Sequence, residues 1–203
     1  MTEKQKQKIQ KRIKAYRAIL ANEKKRFGGY MDSNGIRYVI PELYLQIQDY
    51  KGAMTYFRWF SKAFPDDIGF PAFNLFWAAT LYENNKITES LEKVYETAFS
   101  NTYLLDLIAG YNPDPIDKSE LSGSENLDYA KDIYTACIDL ITIEFKTYLS
   151  GLVENKTFKE NIARFIAMQK LIKDEPVGQM RTHLLNESNK FERQLTGLKT
   201  TNP

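Results

Sequence analysis

Apolar residues recur along most of this chain at intervals of three and four positions, the spacing that places side chains on one face of an α-helix. The first such segment, Thr2 to Phe27, contains neither glycine nor proline. It is predicted to form one long helix that ends at Gly28, because glycine readily adopts the left-handed conformation that closes a helix. The residues of its narrow apolar stripe are Ile9, Ile13, Tyr16, Leu20 and Phe27.

Shorter helical segments follow, separated by turn residues. Between residues 36 and 65 the pattern predicts two helices joined at Gln48-Asp49. Pro41 is placed in the first turn of the first of them, where its missing N–H would have had no partner. A second pair follows. The four predicted helices span residues 36–47, 50–64, 72–82 and 87–99.

The C-terminal part contains the longest periodic run, from Ala130 to Leu152, which is predicted to be a single long helix. Two capping boxes, each pairing a hydroxyl residue with a glutamate three positions later, are predicted to introduce this helix and the next. These boxes are Ser122 with Glu125 and Thr157 with Glu160. The two helices after the long run are predicted to span residues 157–172 and 179–195.

No segment alternates between polar and apolar residues over the length of a strand, so the sequence predicts an all-α fold. A loop at residues 110–123 contains two prolines. The chain is therefore expected to form a single helical domain, residues 1–203, or two packed halves of it. Residues 1–110 would hold the N-terminal helix and two helical hairpins, and residues 124–203 a C-terminal bundle of long helices.

The composition is that of an ordinary globular protein, with 43% hydrophobic and 27% charged residues. Cys137 is the single cysteine, which excludes an intrachain disulfide and a cysteine-based zinc site. No window reaches the roughly 18 charge-free apolar residues that a membrane span needs. Together with the absence of an apolar stretch behind the charged N-terminus, this indicates a cytoplasmic protein.

Charge is distributed unevenly along the chain. Residues 1–28 hold ten basic and two acidic residues, a net charge of +8, which leaves −6 for the rest of a chain whose total is +2. The basic helix therefore either docks on the acidic remainder or contacts nucleic acid or an anionic membrane. Docking is favoured, because the apolar stripe is regular. The candidates for a basic binding face are Lys4, Lys8, Lys11 and Arg12.

The second helix of the first pair, together with the residues that flank it, contains residue types at a characteristic spacing. Asp49-Tyr50, Ala53, Phe57 and Pro65 follow one another as an acidic-aromatic turn, a small residue, an aromatic residue and a terminating proline. This segment resembles the second half of a tetratricopeptide repeat.

Residues 72–103 resemble a degenerate second copy, in which Ala78 is the small contact residue and Ser90 and Val94 take the places of Ala53 and Phe57. The resemblance covers about a third of the chain, and Pro41 and Phe60 depart from the pattern of the family. It implies tetratricopeptide-like helical hairpins, packed with the N-terminal amphipathic helix and the C-terminal helical bundle.

In this family ligands lie along the first helix of each pair. The corresponding residues here are mainly apolar, which favours an apolar helix or extended peptide as ligand over an acidic tail. The expected function is that of a protein–protein interaction or scaffolding module with a protein or peptide partner, and the alternative is nucleic-acid or anionic-membrane binding through the basic helix. The candidates for the ligand groove are Tyr38, Glu42, Leu45, Leu75, Ala79 and Tyr82.

Residues that carry catalytic chemistry are sparse. His183 is the only histidine, and Cys137 lies in an apolar face where burial raises the pKa of its thiol. The acidic loop around Asp114 and Asp117 lacks the ligand pattern of a calcium loop, and no glycine-rich phosphate loop is present. The sequence therefore predicts neither an enzyme, nor a cofactor, nor a metal site. The aromatic cluster around Trp77 is interpreted as core, with Trp77 largely buried.

Overall fold

A computed structural model describes residues 1–197 of the chain, and within that range the fold is all-α, as predicted. Residues 198–203, which end the predicted C-terminal half, lie outside the described part. Besides a single 3₁₀ turn at Gly123–Glu125, the described helices are α1 Glu3–Phe27, α2 Ile36–Gln46, α3 Tyr50–Ala63, α4 Pro71–Glu83, α5 Ile87–Ser100, α6 Leu104–Ile108, α7 Leu127–Cys137, α8 Ile143–Glu154, α9 Lys156–Asp174 and α10 Gln179–Thr196.

Helix α1 forms where the periodicity places it. Thr2 caps its N-terminus in a reciprocal pair with Gln5, and Gly28 ends it with a φ of 75°. Ile13 and Leu20 are buried as α1 packs along α2. The docking predicted for this helix is therefore present, and it is made by apolar side chains.

Helix α2 begins at Ile36, five residues before Pro41. The Asp32 carboxylate accepts hydrogen bonds from the backbone N–H groups of Ile36 and Arg37, at 2.7 and 3.1 Å, and so starts the helix at Ile36. Placing Pro41 in the first turn was therefore wrong, because it lies in the interior of α2. A proline there leaves the carbonyl of residue 37 without its helical donor. The hydroxyl of Tyr56 on α3 donates to that carbonyl at 2.7 Å and replaces the missing bond.

Replacing Tyr56 by phenylalanine is expected to lower the free energy of unfolding by about 1–3 kcal/mol, because the Arg37 carbonyl would lose its donor in a part-buried position. Urea denaturation followed by circular dichroism measures this loss. Tyr134→Phe is a suitable control, since Tyr134 is half-buried and its hydroxyl has no hydrogen-bond role among those found in residues 1–197. Equal losses in the two variants would contradict the role of Tyr56.

The core is densest between the hairpins α2–α3 and α4–α5. Phe57 and Phe73 are almost fully buried, and the ring of Phe57 stacks on Trp77 with centroids 4.7 Å apart. Ser90 is buried against α4, where its hydroxyl donates to the carbonyl of Ala78 at 2.9 Å. The prediction that Trp77 is largely buried was too strong: it is half-buried, and the Lys93 ammonium lies 4.0 Å from its ring centroid.

The single long helix predicted for residues 130–152 was wrong, because the chain turns between α7 and α8. Thr142 caps α8 by accepting a hydrogen bond from the backbone N–H of Phe145 at 3.1 Å. The two predicted capping boxes do not start helices either. Asparagines do so instead: Asn126 caps α7 and Asn155 caps α9 through their side-chain oxygens.

One hydrophobic core extends from Ile13 on α1 to Phe191 on α10, so both predicted halves pack on the same interior. Helix α10 packs on α9 and α5, and α7 and α8 both contact α4. Across residues 1–197, none of the helices combines the length and the apolar composition required to cross a bilayer.

Candidate binding surfaces

Three of the six ligand-groove candidates are part of the core. Leu45, Leu75 and Ala79 are each at most 1% exposed. Helix α1 covers α2, and α7 and α8 cover α4, so the faces on which a ligand was expected are already occupied by the chain itself. These three assignments were wrong for that reason.

Two further candidates, Tyr38 and Glu42, are engaged in contacts within the chain. The Tyr38 hydroxyl donates to the Asp67 carboxylate at 2.6 Å, and its ring packs on Phe73 with centroids 5.2 Å apart. Glu42 is half-buried and accepts a hydrogen bond from the Gln46 side chain at 3.0 Å. The polar groups of both side chains are therefore already bonded within the chain.

Tyr82 borders a groove beside α8, whereas Leu45, although buried, lies in the wall of a separate cavity next to α1. The Tyr82 ring packs on Tyr148 and Phe145 of α8, with centroids 4.9 and 5.3 Å away, and the groove beside them has a volume of about 560 Å³. Two neighbouring ridges of α8, at i, i+4, i+8 spacing, form its floor. The α8 groove is lined by Tyr82, Ile143, Glu144, Thr147, Tyr148, Gly151 and Leu152.

The α8 groove exposes apolar surface that the fold leaves uncovered. Ile143 is 75% exposed, and Tyr148 and Leu152 are half-buried. Gly151 is exposed within α8, and a Cβ atom added there would meet nothing within 4 Å. Since glycine costs about 1 kcal/mol relative to alanine inside a helix, the packing of this chain gives no reason for it. Its bare backbone permits the close approach of another chain.

Acidic side chains mark one end of the α8 groove. Burial, together with the nearby carboxylates of Glu83 and Glu144, raises the pKa of the Tyr50 hydroxyl to about 12. The Tyr50 hydroxyl has no hydrogen-bond partner in the described residues, and Glu83 accepts a hydrogen bond from Thr142 at 2.5 Å. No basic residue lines the groove, so it favours a cationic or neutral occupant.

The basic residues of α1 face solvent. Lys4, Lys8, Lys11 and Arg12 are all exposed, and within residues 1–197 no lysine or arginine of the first 28 residues forms an ion pair. Arg12 instead donates to the Tyr16 hydroxyl at 3.0 Å and lies over its ring. Acidic residues elsewhere in residues 1–197 therefore form no ion pairs with this helix, and its docking depends on the apolar stripe.

The other chemically distinctive residues are isolated. Burial raises the pKa of the Cys137 thiol to about 12, which keeps it protonated and unreactive at neutral pH. His183 is exposed on α10. In the acidic loop Asp117 pairs with Lys173. In the part of the chain that the structure describes, no three His, Cys, Asp or Glu side chains are grouped so that they could hold a metal ion.

Comparison with protein families, with curated proteins and with solved structures yields no match to this chain. Its candidate site therefore depends on the geometry alone. The sequence does not single out the residues of α8, because the periodic run from Ala130 to Leu152 predicts one continuous helix. Gly151, an isolated glycine within that run, is the signal that could have pointed to the groove.

Proposed function

We propose that this protein is an interaction module, built on tetratricopeptide-like hairpins, that binds an apolar helix of a partner protein in the α8 groove. The observation that supports this proposal is the uncovered row of Ile143, Tyr148 and Leu152 beside Tyr82 and the bare backbone at Gly151. A helix with apolar residues at i, i+3, i+4 and i+7 presents a ridge that fits such a groove.

The charge of the groove selects the kind of helix. Glu144 lies in the groove and Glu83 near its end, so a partner with lysine or arginine beside its apolar stripe gains complementary contacts. An acidic helix with the same apolar stripe would meet like charge. The proposed occupant is therefore a basic amphipathic helix.

A pair of synthetic peptides tests this proposal. Both carry leucine at i, i+3, i+4 and i+7, one with lysine and the other with glutamate at the remaining positions, and binding is measured by fluorescence anisotropy. We expect saturable binding of the lysine peptide and at least about tenfold weaker binding of the glutamate peptide. Ile143→Asp should weaken binding of the lysine peptide by about tenfold or more, because it places a carboxylate on the apolar contact surface.

Val177→Asp is the matched control, since Val177 is 96% exposed and lies outside the groove. The added negative charge by itself favours the cationic peptide in both variants, so only the loss of the apolar contact in Ile143→Asp should weaken binding. Equal binding by the Ile143→Asp and Val177→Asp variants would refute the α8 groove as the binding site, and so would equal affinity for the two peptides.

The exposed basic face of α1 supports a second candidate function, the binding of a polyanion. At a rise of 1.5 Å per residue, α1 presents unpaired cations over roughly 37 Å. The apolar stripe is buried against α2 at Ile13 and Leu20, which removes the face that would enter a membrane surface. Of the two anionic partners considered, nucleic acid is thus better supported, and its binding should weaken steeply with salt.

A further inference from the structure

A second cavity lies between α6, α8 and α9, on a part of the surface separate from the α8 groove. It has a volume of about 510 Å³. Its walls are predominantly apolar, and the ends of α5 and α8 complete them. The apolar side chains in these walls include Leu105, Val153, Phe158, Ile162 and Ile166.

Two polar groups in the wall of this cavity have no protein partner. The carboxylate of Asp106 accepts no hydrogen bond among the described residues, and burial raises its pKa. Thr102 is only 6% exposed, and its hydroxyl likewise has no partner. Asp106 is half-buried, whereas the Thr102 hydroxyl is buried, and folding leaves a buried polar group unsatisfied only at a cost. The position of the two groups beside an apolar cavity points to a ligand that satisfies them.

The charges at the mouth of the cavity determine whether a cationic or an anionic ligand is favoured. Lys159 pairs with Glu154 at 2.6 Å, and Glu154 also accepts a hydrogen bond from Tyr111. Lys159 also lowers the pKa of Asp106, and Glu154 raises it. The two carboxylates therefore exceed the one ammonium by one negative charge, and Asp106 is the carboxylate without a hydrogen-bond partner among the described residues. A cationic head group gains from this carboxylate, whereas an anionic head group is repelled.

We propose that this cavity binds a small alkyl amine, with its chain against Ile162 and Ile166 and its ammonium group paired with Asp106. The apolar walls bury the chain, and the ammonium supplies the donors that the carboxylate lacks. This proposal is independent of the partner helix in the α8 groove, and either can fail without the other.

The full chain, labelled with ¹³C at the isoleucine δ1 methyl groups, allows a direct test by NMR titration with n-hexylamine. We expect saturable shifts at Ile162 and Ile166 and none at Ile13 or Ile40, which are buried elsewhere. Hexanoate, which has the same chain length and the opposite charge, should bind at least about tenfold more weakly. The absence of saturable shifts, or equal affinity for hexanoate, would overturn the proposal.

Substitutions at two positions test separately the charge of Asp106 and the space inside the cavity. Asp106→Asn should weaken hexylamine binding by about tenfold while leaving the fold as stable as before, since the charged carboxylate is disfavoured by its own burial. Ala163→Phe at the exposed mouth should abolish binding, and Ala167→Phe, one turn further along α9 and outside the cavity, should not. Unchanged hexylamine affinity in the Asp106→Asn protein would show that Asp106 does not hold the amine.

Discussion

Replacing Phe57 by alanine is expected to lower the free energy of unfolding by about 3–5 kcal/mol. Phe57 is fully buried between the two hairpins, where its ring stacks on Trp77 and meets Phe73 edge-on at 5.3 Å. Truncation removes the ring from all these contacts and leaves a cavity that rigid helices cannot close. Urea denaturation monitored at 222 nm, which is the helical signal, measures the loss.

Phe27→Ala provides the matched control for Phe57→Ala, because it removes the same ring from a position that is 56% exposed at the end of α1. Its effect should stay within about 0.5 kcal/mol. Similar losses in the two variants would mean that the hairpins do not pack around Phe57 as described.

Leu20→Ala is expected to cost about 2–5 kcal/mol, because Leu20 is 1% exposed where α1 packs on α2. Ile19 precedes Leu20 on the same helix and is 41% exposed. Ile19→Ala is therefore the control, because it changes a residue of α1 without removing the buried contact with α2. Thermal melts of both variants give the comparison. If Leu20→Ala melted like Ile19→Ala, α1 would be an arm that does not contribute to the core.

The sequence predicts the helices well where the local signal and the tertiary structure agree. Helix α1 is bounded by Thr2 and Gly28, both of which act through local backbone geometry. Pro41 shows the limit of local rules: proline in a helix interior is disfavoured, yet Tyr56, 15 positions away along the chain, donates the replacement hydrogen bond. Such compensation depends on tertiary contacts that the local pattern does not contain.

The candidate site was less predictable, for a related reason. Periodicity shows which residues of one helix share a face, as Leu75 and Ala79 do on α4. It does not show which neighbouring helix covers that face or the face of α2 that contains Leu45. The tetratricopeptide resemblance implies an open surface there, whereas α1, α7 and α8 occupy it. Of the six groove candidates, Tyr82 borders the α8 groove, since it lies near the end of α4.

Hydrogen–deuterium exchange of the full chain, with and without the leucine–lysine peptide, tests the proposed function most directly. Bound peptide covers the groove, so we expect slower exchange in peptic fragments that contain residues 143–152 and the C-terminal end of α4 around Tyr82. The exchange of α1 should not change, because its exposed face is cationic and repels this peptide. Slower exchange confined to α1, or no change along α8 at saturating peptide, would contradict the account.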